Sequence, residues 1–302
     1  MSLKATCLIN NYNYAGFVVE AVESALDQTR PFHEIVVVDD GSTDDSLTRL
    51  EPYVADGRVR VISKPNEGQL SCFNEGFAAS TGDVITFLDA DDVYDPRYLD
   101  KLLEVYERHP DCDFVFAALR QFDDPPPEGD APAPRDLGYS VILTVCRRAW
   151  IGAPTSCLSL RRSLLERILP LPFLDDWRTR ADDCLVFGAS VLGGKKYQLD
   201  YPLVRYRYHG ANQFARRRYT TADVYRRRLA LNRLFDHLVR RGGWDRSTLA
   251  ELAHREFQTV PRPSLKQWRD YAKIALSRQV RWSRKLALLA SMTGYYLLGM
   301  EK

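Results

Sequence analysis

The stretch DVITFLDADDVYD (residues 83–95) places an apolar segment of strand length directly before three acidic residues. Asp89, Asp91 and Asp92 lie within four positions, so their carboxylates share a small volume at the end of the strand. Like charges this close raise one another's pKa unless a cation neutralises them, and carboxylate oxygens suit Mg²⁺ or Mn²⁺. The stretch therefore predicts a divalent metal at a strand end. The alternative is a helix cap or a solvated loop, because a single D-x-D pattern is a weak signal.

Apolar runs of strand length alternate with segments of helical period in the first 120 residues. The predicted strands are LKATCLI, HEIVVVD, RVRVIS, DVITFLD and DCDFVFAAL, and the helices between them include YAGFVVEAVESALDQT, DDSLTRLEPYV and GQLSCFNEGFAAS. This alternation is typical of an α/β fold with a mostly parallel sheet flanked by helices. Ligands of such sheets bind beyond the carboxyl ends of the strands, so the residues that follow each strand are the candidates for a site.

Two further polar clusters follow predicted strands, at residues 10–13 and 39–42. Together with the acids after residue 88, they are expected to meet at one edge of the sheet. For Asp39 and Asp40 the alternative is turn formation and helix capping, because Gly41 suits a tight turn and Thr43 opens a segment of helix-capping residues.

Composition restricts the class of protein. The 302 residues are 45% hydrophobic, enough for a globular core. The six cysteines are scattered without a C-x-x-C pair, and no apolar signal segment follows Met1, which indicates a reducing, cytoplasmic compartment. No apolar run approaches the ~20 residues that span a bilayer.

The charge is unevenly distributed, although the formal net charge is only +2. Residues 1–210 hold 22 Lys and Arg against 33 Asp and Glu, and residues 211–302 hold 20 against 7, which gives −11 and +13. The basic part is predicted to be helical and amphipathic, and one interpretation is peripheral contact with an anionic membrane at its inner face. The alternative is that it packs on the acidic part of its own chain. No nucleic-acid partner is expected, since no recognised binding motif occurs.

The three polar clusters and the segment at 66–83 together resemble the motifs of family 2 inverting glycosyltransferases of the GT-A fold. The matching segments are INNYN (9–13), VVDDGSTDDS (37–46), NEGQLSCFNEGFAASTGD (66–83) and FLDADD (87–92). The resemblance covers roughly residues 3 to 210. It implies a nucleotide-sugar-binding half at 1–120 and an acceptor and base half at 121–210. The basic helical region follows at 211–302. The Pro-rich segment 122–136 separates the two halves.

The resemblance also implies roles for matching residues on the donor side. Asn10, Tyr12 and Asp40 would hold the nucleotide base, and Asp89 the ribose. Asp91 would bind the metal, Mn²⁺ or Mg²⁺, that grips the diphosphate. His209 matches a histidine near the metal or diphosphate in similar proteins; an isolated histidine is also commonly structural.

On the acceptor side the family has an acidic pair at the start of a helix, whose second member is the catalytic base. Asp182 and Asp183 match this pair, with Asp in place of the usual Glu at 182, so Asp183 is the expected base. The alternative is that both acids stabilise the positive end of a helix dipole. Thr155 and Ser156 match a hydroxyl-bearing segment near the acceptor, or else finish an edge strand.

The expected activity is transfer of a sugar, with inversion, from a nucleotide-diphosphate donor, preferably UDP, to an acceptor hydroxyl. The acceptor would be a carbohydrate or a lipid-linked molecule, in polysaccharide or glycoconjugate synthesis. One alternative is a metal-dependent nucleotidyltransferase, which the absence of a Gly-rich basic loop near the N-terminus disfavours. The other is a non-catalytic nucleotide-sugar-binding or scaffold protein, which would require function to be lost while the acidic residues remain.

Overall fold

The computed structural model describes residues 3–209 and 219–300. Within them the strands form one nine-stranded sheet in the order β3-β2-β1-β4-β8-β6-β9-β5, with β7 also paired to β9. The strands are β1 (Ala5–Asn11), β2 (Glu34–Asp39), β3 (Arg60–Ser63), β4 (Val84–Asp89), β5 (Val93–Tyr94), β6 (Phe114–Gln121), β7 (Arg135–Gly138), β8 (Leu158–Arg161) and β9 (Lys196–Tyr206).

The sheet has a parallel half and a mixed half. Strands β3, β2, β1 and β4 are parallel, as their continuous apolar runs predict, because such strands are covered on both faces. Strand β8 lies antiparallel between β4 and β6, and β6 is parallel to β9. The α/β class is confirmed, and the sheet as a whole is mixed.

Helices cover both faces of this sheet and continue beyond it. They are α1 (Val18–Leu26), α2 (Ser46–Ala55), α3 (Gln69–Ala79), α4 (Tyr98–Arg108), α5 (Val141–Arg147), α6 (Arg162–Ile168), α7 (Asp182–Val191), α8 (Thr221–Arg241), α9 (Arg246–Leu249), α10 (Ala253–Phe257), α11 (Leu265–Ala275) and α12 (Trp282–Met300). Successive side chains of β1 point to opposite faces of the sheet. Cys7 and Ile9 pack with α1 and α4, whereas Leu8 packs with α3 and α7. The first three predicted helices correspond to α1, α2 and α3.

The C-terminal helices pack on the sheet domain in two places. Helix α8 buries Leu234 and Leu238 against α6 and α7, and α10, α11 and α12 form a third core with α5. Arg233 forms a bidentate ion pair with Asp176, at 2.5 and 2.8 Å. The basic part therefore does pack on the acidic part of the chain. Arg216, Arg217 and Arg218, which belong to the predicted basic segment, lie outside the described residues.

Two features of the mixed half were not evident from the sequence. Residues 196–206 form the single long strand β9, because β6, β7 and β5 all pair with it. Strand β8 is central rather than at an edge. The sheet is continuous across residue 120, because β6 pairs with both β8 and β9.

In the described part of the chain, no helix combines the length and the apolar character needed to cross a membrane.

Candidate active site

A cleft of about 1010 Å³ opens at the carboxyl ends of β1, β2 and β4 and extends to the starts of α7 and α8. It lies where an open sheet of this kind places its ligand. Eight of the predicted site residues line it, namely Asn10, Tyr12, Asp40, Asp89, Asp91, Thr155, Asp182 and Asp183. Ser156 and His209 lie beside Asp92 and Asp91 respectively.

The parallel register brings the polar strand ends together. Asn10 of β1 is directly opposite Asp89 of β4, and its side-chain amide donates to Asp89 Oδ1 at 2.9 Å. Asn11 is opposite Asp39 of β2 and donates to Asp39 Oδ2 at 2.7 Å. Ser42 N also donates to Asp39, at 2.9 Å. Asp39 therefore has the turn-forming role, whereas Asn10 and Asp89 face the cleft.

Asp40 occupies a pocket of donors at the base of the cleft. Lys64 Nζ lies 2.5 Å from its Oδ1, and the backbone N–H groups of Glu67 and Gly68 donate to Oδ1 and Oδ2 at 2.9 and 2.7 Å. Gly68 is required there: its φ is +95°, and a Cβ would lie 2.3 Å from the Cα of Arg178. Three donors on a carboxylate with about four lone-pair positions leave one position, on Oδ2, for a ligand.

The carboxylate oxygens of Asp89, Asp91 and Asp92 lie within 4.8 Å of one another. Burial, followed by the charge of Asp91, raises the pKa of Asp89 and of Asp92 above its ordinary value. A cluster of this kind is relieved by a divalent cation, and three carboxylates fit Mg²⁺ or Mn²⁺. The residues present therefore fit the metal that the sequence predicts.

Ser156 holds Asp92, the third acid of this cluster, in place. The Ser156 hydroxyl donates to Asp92 Oδ2 at 2.5 Å and accepts from Asp89 N at 3.1 Å, and Ser156 is fully buried. The Ser156 hydroxyl is therefore used inside the turn, and its contact with an acceptor stays a prediction. Thr155, its neighbour, does line the cleft.

His209 lies against Asp91 of the cluster. Its Nε2 is 3.0 Å from Asp91 Oδ2, and its ring packs 4.7 Å from Phe17 and 5.6 Å from Tyr14, measured between ring centroids. The two aromatic rings hold the imidazole in place. An imidazole nitrogen beside a carboxylate oxygen is a suitable pair of ligands for Mn²⁺.

The second acidic group stands in the first turn of α7. Asp183 is ion-paired with Arg227 of α8, and Arg180 Nη2 lies 3.5 Å from the same carboxylate oxygen. Burial, followed by the charge of Asp183, raises the pKa of Asp182 to about 6. Among the described residues, Asp182 Oδ1 has no hydrogen-bond partner. The pair thus combines an arginine-held carboxylate with one suited to accept a proton near neutral pH.

Comparison with known proteins identifies the family. The sequence profile of glycosyl transferase family 2 matches residues 6–169, more than half of the chain. The chain belongs to this family. An uncharacterized glycosyltransferase of Nostoc sp. is 38% identical over 219 residues, which are 70% of this chain and 66% of that protein. Chondroitin synthase of Escherichia coli is 36% identical over 113 residues, 37% of this chain and 16% of that protein. The chain spans less than two thirds of the length of these relatives.

Solved structures confirm the GT-A fold of this family 2 glycosyltransferase. The 1–349 fragment of S. aureus TarS in complex with UDP superposes with a TM-score of 0.60 at 17% identity, over 99% of this chain and 90% of that chain. The same fragment in complex with UDP-GlcNAc gives 0.57 at 16% identity, over 99% and 91%.

Gln69, at the start of α3, connects the two acidic groups of this glycosyltransferase. Its Nε2 donates to Asp89 Oδ1 at 2.9 Å and to Thr155 Oγ1 at 3.2 Å. Its Oε1 accepts from Ala181 N at 2.9 Å, one residue before the acidic pair. Sequence reasoning did not select Gln69. The only indication of its role in the sequence was its position inside the N-E-G-Q segment. A glutamine side chain does not by itself indicate a catalytic or binding function.

The role of Arg227 was also not predicted. It lies 44 residues beyond Asp183, in the basic region for which the sequence indicated membrane contact. Its guanidinium stacks over Trp177 at 4.0 Å and reaches Asp183 from the side of α8. The C-terminal region therefore contributes directly to the site.

Proposed function

We propose that this chain is a metal-dependent glycosyltransferase that moves a sugar from a UDP-sugar to an acceptor hydroxyl with inversion. The supporting observation is that one cleft contains an acidic cluster suited to a cation and, separately, an acidic pair suited to accept a proton. Inverting transfer needs these two functions and no covalent enzyme intermediate. The TarS structures with UDP and UDP-GlcNAc support UDP as the carrier.

On the donor side, Asp40 accepts a ring N–H of the base through the lone-pair position that its three donors leave on Oδ2. Tyr12, which is 37% exposed in the cleft, stacks on the base. Asn10 orients Asp89, which binds the ribose. These contacts hold the nucleotide at the ends of β1, β2 and β4.

Asp91 and His209 would hold the metal beside the diphosphate. When bound, Mn²⁺ or Mg²⁺ supplies charge stabilisation for the departing nucleoside diphosphate. The aromatic frame of Tyr14 and Phe17 keeps the imidazole at Asp91, so these ligands are ordered before the donor binds.

The acidic pair removes the proton of the acceptor hydroxyl. Asp183 is the base that the family resemblance assigns, and it is one of the cleft-lining residues, as is Thr155. Asp182 is the alternative base, because its pKa of about 6 suits a proton acceptor at neutral pH. Arg180 and Arg227 orient the Asp183 carboxylate.

Calorimetric titration of UDP, GDP and dTDP, each with Mn²⁺ and with chelator, tests the donor site. We expect UDP to bind in the presence of Mn²⁺ and to lose most of its affinity in chelator. Asp91→Asn should lower affinity in Mn²⁺ to the level of chelator, because it removes one ligand. Asp83→Asn is the matched control: Asp83 lies at the opposite end of the same strand and accepts a hydrogen bond from Lys4 N.

Product analysis separates the alternatives. With a UDP-sugar, release of UDP supports glycosyl transfer, whereas release of pyrophosphate from a nucleoside triphosphate would indicate nucleotidyl transfer. UDP binding without turnover on any acceptor would favour the non-catalytic scaffold. No nucleotide binding under any condition would contradict the proposal.

We further propose that α12 docks on an anionic membrane and brings the enzyme to a lipid-linked or polymeric acceptor. One face of α12 packs Leu288 and Met292 into the third core. Another side leaves Trp282 and Leu286 85% and 80% exposed, with Arg281 exposed beside them. An apolar face flanked by basic residues is the pattern of an interfacial helix, and each basic residue contributes on the order of 1 kcal/mol near anionic lipid.

Flotation of the full chain with phosphatidylglycerol vesicles and with phosphatidylcholine vesicles tests this docking. We expect binding to the anionic vesicles, and loss of binding in Trp282→Ser/Leu286→Ser. Point variants are needed because deleting α12 would open the third core. Leu252→Ser/Leu265→Ser, on exposed leucines of the same region, is the control. Equal flotation of both double variants would contradict the proposal.

A further inference from the structure

The proposed glycosyl transfer, on which this inference rests, requires a surface that binds the acceptor. Trp150 stands at the rim of the cleft with 42% of its surface exposed. It also lines a second pocket of about 230 Å³. Leu119, Trp150 and Pro154 belong to both, so the pocket is a continuation of the cleft. An exposed tryptophan between two connected cavities marks a ligand surface.

The loop that carries Trp150 is held firmly on the side of α8. Arg148 donates to Leu231 O at 3.3 Å and to Asn232 Oδ1 at 3.1 Å. Its guanidinium also stacks 3.7 Å above the ring of Phe235. The same helix carries Arg227, which binds Asp183. The loop and the acidic pair are therefore attached to one rigid element.

The loop is held equally firmly from the protein interior. Lys196 is fully buried, and its Nζ donates to Ile151 O at 2.8 Å and to the Ser190 hydroxyl. Gly152 lies so close to α7 that a Cβ there would be 2.5 Å from a methyl of Val186. Burying a lysine is costly, and here it fixes the carbonyl next to Trp150. The indole is thus exposed on a loop that is rigid on both sides of it.

We propose that Trp150 and the pocket behind it form a second acceptor subsite. The subsite binds the sugar next to the one that carries the attacking hydroxyl, with the indole stacked on a face of the pyranose ring. The C–H groups on such a face pack on the electron-rich face of an aromatic ring. The acceptor is therefore an oligosaccharide or a growing glycan chain of at least two sugar residues, rather than a single sugar.

The position of the pocket favours the acceptor over the donor. In the described part of the chain, its lining includes none of the residues proposed to bind the nucleotide, and it connects to the cleft through Pro154, next to Thr155. Its walls are mainly apolar, from residues 116–119 of β6 and residues 152–154 of the loop, and Gln198 is its polar residue. Apolar walls with a single polar group fit one sugar ring with a fixed orientation.

Glycan-array binding with the full chain, UDP and Mn²⁺ identifies the test ligand, using defined mono-, di- and trisaccharides. Calorimetry then compares the best disaccharide with its two constituent monosaccharides. We expect the disaccharide to bind about tenfold more tightly than either monosaccharide, which is the size of a stacked ring contact.

Trp150→Ala should remove this gain in affinity and leave monosaccharide binding unchanged, and Trp150→Phe should restore part of the gain. Trp244→Ala is the control for loss of an exposed tryptophan, because Trp244 is 36% exposed and lines neither cavity.

Equal binding of monosaccharide and disaccharide by the wild type would overturn the subsite. So would an equal loss of both in Trp150→Ala, or no binding of any saccharide on the array while UDP binds. UDP affinity is measured on every variant: a protein that binds UDP but shows no disaccharide gain contradicts the subsite alone. Failure to bind UDP contradicts the proposed function itself. The thermal midpoint of Trp150→Ala, expected to match the wild type, shows that the variant is folded.

Discussion

The cleft contains two groups of acids that differ in the partners the chain provides for them. The strand-end acids Asp89 and Asp91 receive hydrogen bonds from side-chain amides and an imidazole. The helix-start acid Asp183 forms ion pairs with two arginines, Arg180 and Arg227. Three carboxylates close together favour a shared metal ion, whereas a single carboxylate with its own counter-charge needs none. The same residue type therefore serves two kinds of chemistry.

Removing the charge of the helix-start pair should have the largest effect. We expect Asp183→Asn to lower kcat by about 10²- to 10⁴-fold, because a general base contributes that much, with UDP affinity within a few-fold of wild type. Steady-state kinetics and UDP calorimetry measure the two quantities. If Asp183→Asn turned over normally and Asp182→Asn were inactive, the base would be Asp182.

Gln69 connects the two groups, so its loss tests whether their spacing matters. Gln69→Met keeps the volume and removes the hydrogen bonds to Asp89 and Ala181. We expect kcat to fall by about 10- to 100-fold, because a small misplacement of reacting groups has effects of that size, while the Kd for UDP changes little.

Gln258→Met is the matched control for Gln69. Gln258 is partly buried and donates one side-chain hydrogen bond, to Ser291 in α12, far from the cleft. A similar loss of kcat in both variants would indicate general destabilisation. A loss of UDP affinity in Gln69→Met as large as the loss of kcat would place Gln69 on the donor side only.

The raised pKa of Asp182 predicts the pH dependence of the reaction. With a pKa of about 6, the Asp182 carboxyl is ionised above that pH and gains a proton below it. Activity that needs the ionised pair is therefore lost as the pH falls through 6, and log(kcat/KM) should decline with unit slope. In Asp182→Asn, the activity that remains should no longer decline as the pH falls through 6. If the decline were unchanged in this variant, it would arise from the titration of another group.

The smallest expected effect is on stability. Because the folded pKa of Asp182 lies above its unfolded value of about 3.9, the folded state binds more protons between these values, and stability falls as the pH rises through that window. Asp182→Asn should therefore stabilise the protein by on the order of 1–2 kcal/mol at pH 7.5. Thermal unfolding should show a higher midpoint for the variant at that pH and no difference at pH values below the unfolded pKa.

The sequence predicted one of these two acidic groups better than the other. The strand-end acids follow an apolar run in DVITFLDADD, and the parallel register that brings Asn10 opposite Asp89 follows from the strand pattern. The contacts around the helix-start pair were not predictable, because Arg227 binds Asp183 from 44 positions away and Gln69 binds the neighbouring Ala181 from 112 positions away. Ser156 was assigned to the acceptor because its hydroxyl matches the family segment, and only packing shows that it faces Asp92.

The sequence by itself determined the alternation of strands and helices, the polar strand ends and the family, because these depend on local periodicity and on motifs that are contiguous along the chain. Tertiary structure alone decided which acids receive arginines, which hydroxyl is buried, and that Trp150 is exposed on a rigid loop. The physical reason is that hydrogen bonds and ion pairs form between side chains that only packing brings within about 3 Å. Their partners come from elements such as α3 and α8, whose relative position no local pattern encodes.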